Sequence, residues 1–422
     1  MKVTLSHQLL QEATIQIPPS KSLSHRALLC ASLAKGESKI KNLANNKDIR
    51  ATLNCLKEIG IPFQFEEDCC LMQGNQFQVK TVELDCKESA STLRFLIPLL
   101  SVLGFEVTYH GQGRVMQRPL QVYEEIFNNQ NIKFEIGQDT LVVGAGLHAD
   151  DFTIVGNISS QFITGLLFAC PLMEKPSTIT IVPPYESKPY VVLTEACLKH
   201  SGIQIEDEGY IIRIPGKQEF HPIQVTIEGD DSQGAFFGCC SYLGNIPITV
   251  SGLNTQSLQG DHAIIDILSQ FGGSYELVKE GYRYLPKPLT PTTIDLRDCP
   301  DLGTCLFVLA STLEGTTIFQ HIHRLRYKES NRLACMKQEL EKLGVIWQEE
   351  EDQLKMTGNP KMHGPIIFDG HQDHRVVMAL SILAAYLKEP VTIFGVEAIT
   401  KSYPSFFQDL EKIGINVQLE DE

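Results

Sequence analysis

Cations and hydroxyls recur in this chain at the starts of apolar, helix-like segments, and that pairing suggests anion chemistry. Lys21, Ser22 and Arg26 open SKSLSHRALLCASLAKG. Ser91 and Arg94 open SASTLRFLIPLLSVLG, and Ser159, Ser160 and Gln161 open SSQFITGLLFACPLM. Asp301 follows Pro300 before GTCLFVLA, and Asp373, His374 and Arg375 precede VVMALSILAAYL. The first turn of a helix offers unpaired N–H groups and the positive end of a dipole, so such starts attract anions. A lone Ser there is a cap. Arg26 and Arg94, one turn into apolar helices, are different: a buried guanidinium is costly without an anionic partner. Two more cationic clusters lie elsewhere, Arg114 and Arg118 in GQGRVMQRP, and Arg324, Arg326, Lys328, Glu329 and Arg332 in RLRYKESNRL. Lys328 and Arg332 are four apart, which predicts a shared helix face. None of these stretches is a P-loop or a dinucleotide fingerprint, so no nucleotide cofactor is indicated.

The elements that position these residues repeat. One phrase runs helix end, Gly, strand, turn, strand: LKEIGIPFQFEEDCCLMQG with Gly60, FNNQNIKFEIGQDTLVVG with Asn131, and LKHSGIQIEDEGYIIRIPG with Gly202. It returns as LSQFGGSYELVKEGYRYLP with Gly272, LEKLGVIWQEEEDQLKMTG with Gly344, and LEKIGINVQLEDE with Gly414. The spacings are 71, 71, 70, 72 and 70 residues. Gly, or Asn in its place, suits a helix end that must turn left-handed. The apolar segments recur at the same period, with starts read at Ser20, Ser89, Ser159, Ser232, Pro300 and Gln372. They are apolar nearly all round, which predicts burial. Each unit therefore reads as buried helix, strand, second helix, strand hairpin. The fold class is α/β, with six units of about 70 residues divided into two halves of three.

Composition bounds the rest. Lys plus Arg is 36 and Asp plus Glu is 51, a net charge of −15, which excludes a general nucleic-acid binder or a basic membrane-surface protein. A cationic cleft in such a chain must be a local device. The longest apolar stretch, 95–105, is about a dozen residues against the roughly 18 of a membrane span. The N-terminal segment alternates polar and apolar residues, so no leader is expected. The 12 cysteines include no C-x-x-C and none at zinc spacing from a His, and buried free thiols in a cytoplasmic protein are expected.

Taken together, the motifs PPSKSLSHRALLCASLA, SASTLRFLIP, RVMQRPL, SSQFITGLL, ESKPYVVLT, GDDSQGAFF, PDLGTCLFVLA, RYKESNRL, DHRVVMALSILA and Lys401-Ser402-Tyr403-Pro404 resemble the 5-enolpyruvylshikimate-3-phosphate synthase family. Singly several are weak; ten in order from Pro18 to Phe407 are specific. The resemblance implies two inside-out α/β domains, each of three βαβαββ copies, with two chain crossings and the active site in the cleft between them. The domains are expected at 17–227 and at 1–16 plus 228–422, and they are expected to close on ligand. It also implies transfer of the enolpyruvyl group of phosphoenolpyruvate to the 5-hydroxyl of shikimate 3-phosphate, by addition and then elimination of phosphate, in a cytoplasmic monomer. No metal or other cofactor and no nucleic-acid or membrane partner are expected.

Residue by residue, the resemblance assigns Ser22, Arg26, Ser159, Ser160, Ser187 and Lys328 to shikimate 3-phosphate, with Gln161 lying between the two ligands. Lys21, Arg118, Arg332, Arg375 and Lys401 would hold phosphoenolpyruvate, supported by Arg94 and bordered by Ala90. Asp301 would contact the hydroxyls and act as base. Lys21 or Glu329 would deliver the proton to the methylene. Three positions depart from the family pattern: Ser330 stands for Thr, Asn331 for Asp, and Ala90 for the Gly of most members. The methyl of Ala90 implies weak inhibition by glyphosate. A sister family acting on UDP-N-acetylglucosamine has Lys-Asn at 21–22 and a reactive Cys within 111–119; this chain has Lys-Ser and no Cys there. A non-catalytic anion-binding homologue would be expected to lack Lys21, Asp301 or Glu329, and all three are present.

Overall fold

The computed structural model describes residues 1–7, 9–66, 69–78 and 81–421, His7 by its backbone alone. The chain divides into two compact units, 19–227 and 1–18 plus 228–422. The first holds α1 (Lys21–Leu33), α2 (Lys47–Glu58), α3 (Ala90–Val102), α4 (Gln121–Asn129), α5 (Ser160–Ala169) and α6 (Lys188–His200). The second holds α7 (Asp231–Gly244), α8 (Ile264–Gln270), α9 (Gly303–Ser311), α10 (Arg332–Glu341), α11 (His374–Ile382) and α12 (Phe406–Lys412).

The described strands form six four-stranded sheets, three in each unit. Each sheet has one plan: a parallel pair, which in four of the six comes from a strand–helix–strand crossover, then two antiparallel neighbours. In one, Thr81–Asp85 runs parallel to Glu106–His110, which pairs antiparallel with Thr140–Val143 and that with Phe134–Ile136. The outer faces carry alternating polar residues, as in Glu37–Lys41 and Asp151–Val155. The odd-numbered helices are buried nearly all round; every residue of α9 and of α11 is buried. Sheets with one wet face thus surround apolar helices, the reverse of the usual central sheet. Each large apolar side chain buried in this way contributes about 1.5–3 kcal/mol.

Two of the parallel pairs join strands far apart in the sequence, each within one unit. Gln224–Thr226, at the end of the first unit, runs parallel to Glu37–Lys41 at its beginning. Ala13–Gln16 runs parallel to Ile248–Ser251 and so opens the first sheet of the second unit. The sixth repeat departs from the expected hairpin. Its single strand Ile415–Glu420 pairs antiparallel with Lys2–His7, which itself pairs with Val391–Phe394. The chain's own beginning supplies the missing hairpin strand. The turn of the first hairpin, at 67–68, and Glu422 in the sixth phrase lie outside the described residues.

All six helix-ending residues take the left-handed conformation, from Asn131 at φ 55° to Gly272 at φ 95°. Three of the six expected helix starts coincide with real caps: Ser20, Ser89 and Ser159 each accept a backbone N–H of the first turn. Three differ. α7 begins at Asp231, capped by Asp230, because a carboxylate is available two residues before Ser232. α11 is capped by Asp373 rather than Gln372. α9 is entered through a 3₁₀ turn, Pro300–Leu302, with no side-chain cap, so Asp301 is not a capping residue. No described helix is long and apolar enough to cross a membrane. No disulfide joins the cysteines, and all but Cys197 are buried.

Candidate active site

In the unit 19–227 the starts of α3 and α5 are tied together by side chains. Arg94 on α3 donates to Ser159 Oγ at 3.4 Å, to Gln161 Oε1 at 2.9 Å and to the Pro119 carbonyl at 2.7 Å. Gln161 returns a bond from Nε2 to Ser91 Oγ at 2.9 Å. The guanidinium also lies over the Phe162 ring, 4.8 Å from its centre. One network therefore holds Ser91, Arg94, Ser159 and Gln161, and it fixes the main chain beside Arg118. Arg118 itself has a buried Nε with no hydrogen-bond partner, which leaves a donor for an anion. Arg114 is exposed, and its carbonyl accepts from Gln117 N and Arg118 N.

Arg26 occupies a second node. It donates to Thr194 Oγ1 at 2.9 Å, to the Ser22 and Tyr190 carbonyls at 2.8 and 2.9 Å, and to Thr164 Oγ1 at 3.5 Å. It thereby joins α1 to α5 and α6. The side chain is 3% exposed, and among the described residues every acceptor around it is a neutral oxygen. Burial pulls its pKa down to about 10. A cation so enclosed gains from an anionic ligand. Lys21 pairs with Asp48 on α2 at 2.9 Å. Ala90 is buried as the first residue of α3, and Ser160 is buried as the first of α5. Ser187 is buried in a left-handed conformation immediately before α6.

The second unit gathers its charges around Asp301. The Asp301 carboxylate accepts from Lys328 Nζ at 3.0 Å and from Arg332 Nη1 at 2.9 Å, and Arg375 Nη2 lies 3.3 Å away. Burial alone would raise its pKa, but Arg375, Lys328 and Arg332 outweigh that and hold it well below the usual range. Lys328 is lowered to about 8, by burial first, with Asp301 opposing. Arg332, 1% exposed, also donates to Glu329 Oε2 at 2.7 Å and, through Nε, to Asp373 Oδ2 at 2.9 Å.

Lys328 and Arg332 do not share a helix as their spacing suggests. His323–Tyr327 is a 3₁₀ turn, Lys328 is extended, and α10 begins at Arg332 itself, with Asn331 capping. They meet instead through a common acceptor, Asp301 Oδ1.

Asp373 is the residue whose importance the sequence understates. It caps α11 through Arg375 N, takes Ser330 N and Oγ, and pairs with Arg332. Its pKa falls to about 2, with burial opposing and Arg332 dominating the pull. Arg375 donates onward to Ser232 Oγ at 2.8 Å, and Lys401 Nζ to the Gln372 carbonyl at 3.0 Å. Sequence reasoning passed over Asp48, Thr164, Thr194 and Ser232 as site components. The available signal was weak: single hydroxyls inside apolar helices, where a polar side chain needs a partner.

Comparison with known proteins gives the chain's family. Residues 7–410 match the family model for EPSP synthase, 3-phosphoshikimate 1-carboxyvinyltransferase. A 3-phosphoshikimate 1-carboxyvinyltransferase of Clostridium kluyveri is 41% identical over 407 residues, spanning 96% of this chain and 95% of that one. Its counterpart in Clostridioides difficile is 38% identical over 416 residues, at 95% and 94% coverage. Among solved structures, an EPSP synthase from Acinetobacter baumannii superimposes with a TM-score of 0.80 at 21% identity, covering 99% of this chain and 100% of that one. The enolpyruvyl transferase NikO from Streptomyces tendae gives 0.81 at 17% identity, covering 99% and 98%. The two structures share this chain's two-domain inside-out α/β fold.

Proposed function

This chain belongs to the EPSP synthase family, and on that premise we propose that it transfers the enolpyruvyl group of phosphoenolpyruvate to the 5-hydroxyl of shikimate 3-phosphate, releasing phosphate. The observation that carries the proposal is the Asp301 cluster: one carboxylate ringed by Lys328, Arg332 and Arg375, with Glu329 on the same Arg332. An anion-binding relative without catalysis would have no use for two carboxylates among the cations it offers to a ligand.

In the proposed reaction the 5-hydroxyl adds to C2 of phosphoenolpyruvate while C3 gains a proton. The tetrahedral intermediate then loses a proton from C3 and expels phosphate. Asp301 takes the hydroxyl proton, and Glu329 or Lys21 serves C3. A base works best near the ambient pH, and Asp301 with three cations is far below it. Phosphoenolpyruvate bound to Arg332 and Arg375 would share the positive charge that now falls on Asp301. The carboxylate would then become more basic once substrate is in place. Arg26, Ser22, Ser159, Ser160, Ser187, Gln161 and Lys328 would hold shikimate 3-phosphate. Lys21, Arg118, Arg332, Arg375 and Lys401 would hold phosphoenolpyruvate, with Arg94 fixing the Pro119 carbonyl next to Arg118. The working form is a cytoplasmic monomer without cofactor, and glyphosate would compete weakly at the phosphoenolpyruvate site.

A coupled assay of phosphate release tests this reading. Release that requires both shikimate 3-phosphate and phosphoenolpyruvate is expected. Release with UDP-N-acetylglucosamine instead, or none with either acceptor, would overturn it.

A further inference from the structure

The segment Asp369–Asp373 carries two acceptors that organise the cations of the second unit, the Gln372 carbonyl for Lys401 and the Asp373 carboxylate for Arg332. It does so in an unfavourable conformation. His371 and Gln372 are successive non-glycine residues at φ 50° and 53°, a region that side chains disfavour. Something outside the segment must hold it there.

One helix grips it at two points. Arg332, at the first turn of α10, binds Asp373. Glu339 lies seven residues on, two turns along the same face, and is fully buried. Its Oε1 takes His371 Nε2 at 2.9 Å, and its Oε2 takes Asp369 N at 3.2 Å and Lys342 Nζ at 2.5 Å. His371 N in turn donates to Asp369 Oδ1 at 2.7 Å. The charged or titratable groups facing the imidazole are Cys335, Glu339 and Asp369, and Lys342 reaches the same Glu339 carboxylate. Contact with Cys335 and with Glu339 raises the imidazole's pKa to about 10, so His371 is an imidazolium at neutral pH. A fully buried carboxylate facing one imidazolium, one ammonium and one main-chain N–H is more than a turn of surface chain requires.

We propose that the Glu339–His371 pair is a positioning device for phosphoenolpyruvate binding: it locks the Asp369–Asp373 segment so that Asp373 orients Arg332 and the Gln372 carbonyl orients Lys401. Neither residue touches substrate. The inference rests on the function proposed above, since it assigns Arg332 and Lys401 to that substrate.

The test is steady-state kinetics of the full chain with His371→Ala, His371→Gln, Glu339→Gln and the double variant Glu339→Gln/His371→Ala. Misplaced cations weaken binding without removing the acid or the base. His371→Ala is therefore expected to raise KM for phosphoenolpyruvate about tenfold, below the roughly 100-fold of a full 1 Å misplacement. Its kcat should stay within about twofold, and KM for shikimate 3-phosphate should not move. His371→Gln keeps a donor toward Glu339 and should recover most of the loss. The double variant should be no worse than the worse single one, as residues acting in one contact are not additive. An active His371→Ala variant with native KM for phosphoenolpyruvate would overturn the inference. So would equal losses for both substrates, or a Gln variant as impaired as Ala. A native chain that releases no phosphate would instead overturn the proposed function, so the two failures are distinguishable.

Discussion

Replacing Asp373 by Asn tests the charge network at its most connected point. Asn is nearly the same size and is itself a good helix cap, so the bond from Arg375 N at 2.9 Å can persist. What is lost is the negative charge and one acceptor: the amide nitrogen would face either Arg332 or the Ser330 donors, where Oδ2 now accepts at 2.9 Å from both Arg332 Nε and Ser330 Oγ. Breaking a buried pair by removing one partner costs about 3–5 kcal/mol. Arg332 keeps Asp301 and Glu329 here, so a loss at or just below the lower end of that range, about 2–3 kcal/mol, is expected. The depressed pKa gives an independent figure. Asp373 moves from an ordinary 3.8 to about 2 in the folded chain, worth roughly 2 to 3 kcal/mol at neutral pH.

The two estimates agree, and the second also predicts a pH dependence. A carboxylate whose folded pKa is depressed stabilises fully above its unfolded pKa, and that contribution is lost as pH falls through the folded value. The native-minus-variant difference should therefore hold between pH 7 and pH 5, then shrink by about 1 kcal/mol between pH 5 and pH 3. Urea unfolding of both proteins across that range is the assay, with the slope compared to exclude a change in the unfolded state. A difference below about 1 kcal/mol at pH 7, or one that does not change between pH 5 and pH 3, would refute the reasoning.

Further outcomes follow from the assigned roles. Overpacking by one methyl costs about 1–3 kcal/mol, so Ala90→Gly should make glyphosate bind roughly tenfold to 150-fold more tightly; inhibition constants no lower than native would remove Ala90 as the determinant. Asp301→Asn should lower turnover by orders of magnitude while shikimate 3-phosphate binding changes little. Arg26→Ala should instead weaken that binding by about 1.5–3 kcal/mol, the worth of a charge-assisted contact; calorimetric titration separates the two, and the same pure binding defect in both would exclude Asp301 as base. Lys328, lowered to about 8, is charged below that pH and neutral above it. Affinity for shikimate 3-phosphate should accordingly fall above about pH 8, and Lys328→Arg should remove that step from the binding profile.

What was legible in the sequence follows from the range of the physics involved. The six left-handed helix ends are local: the residue that can adopt the conformation stands where it is needed, and Asn131 among five glycines obeys the same rule. Burial of the odd-numbered helices is likewise written in their own composition. The sixth repeat is different, because Ile415–Glu420 finds its partner at Lys2–His7. Nothing in either strand's alternation distinguishes a hairpin neighbour from one some 400 residues away. The same limit applies to the site. Spacing puts Lys328 and Arg332 on one helix face, yet they meet on Asp301 because a 3₁₀ turn intervenes and α10 starts late. Asp373 is visible as a helix start but not as a hub, since four of its five donors come from Ser330 and Arg332, more than 40 residues earlier.

The two units solve the cost of buried cations in opposite ways. Arg26 is enclosed by hydroxyls and carbonyls, which satisfy its donors while leaving its charge in place. A dianion held beside it would break no ion pair, which suits a substrate phosphate that must simply be held. Around Asp301 the cations are already neutralised by Asp301, Glu329 and Asp373. An anion arriving there competes with the protein's own carboxylates, so part of its binding energy goes into loosening their ion pairs. That is a disadvantage for holding a ligand. It is an advantage for chemistry, because the carboxylate released from its cations is the one required to take a proton. Phosphoenolpyruvate would thus produce the base that its own reaction needs, and Asp301 would remain inert whenever the substrate is absent.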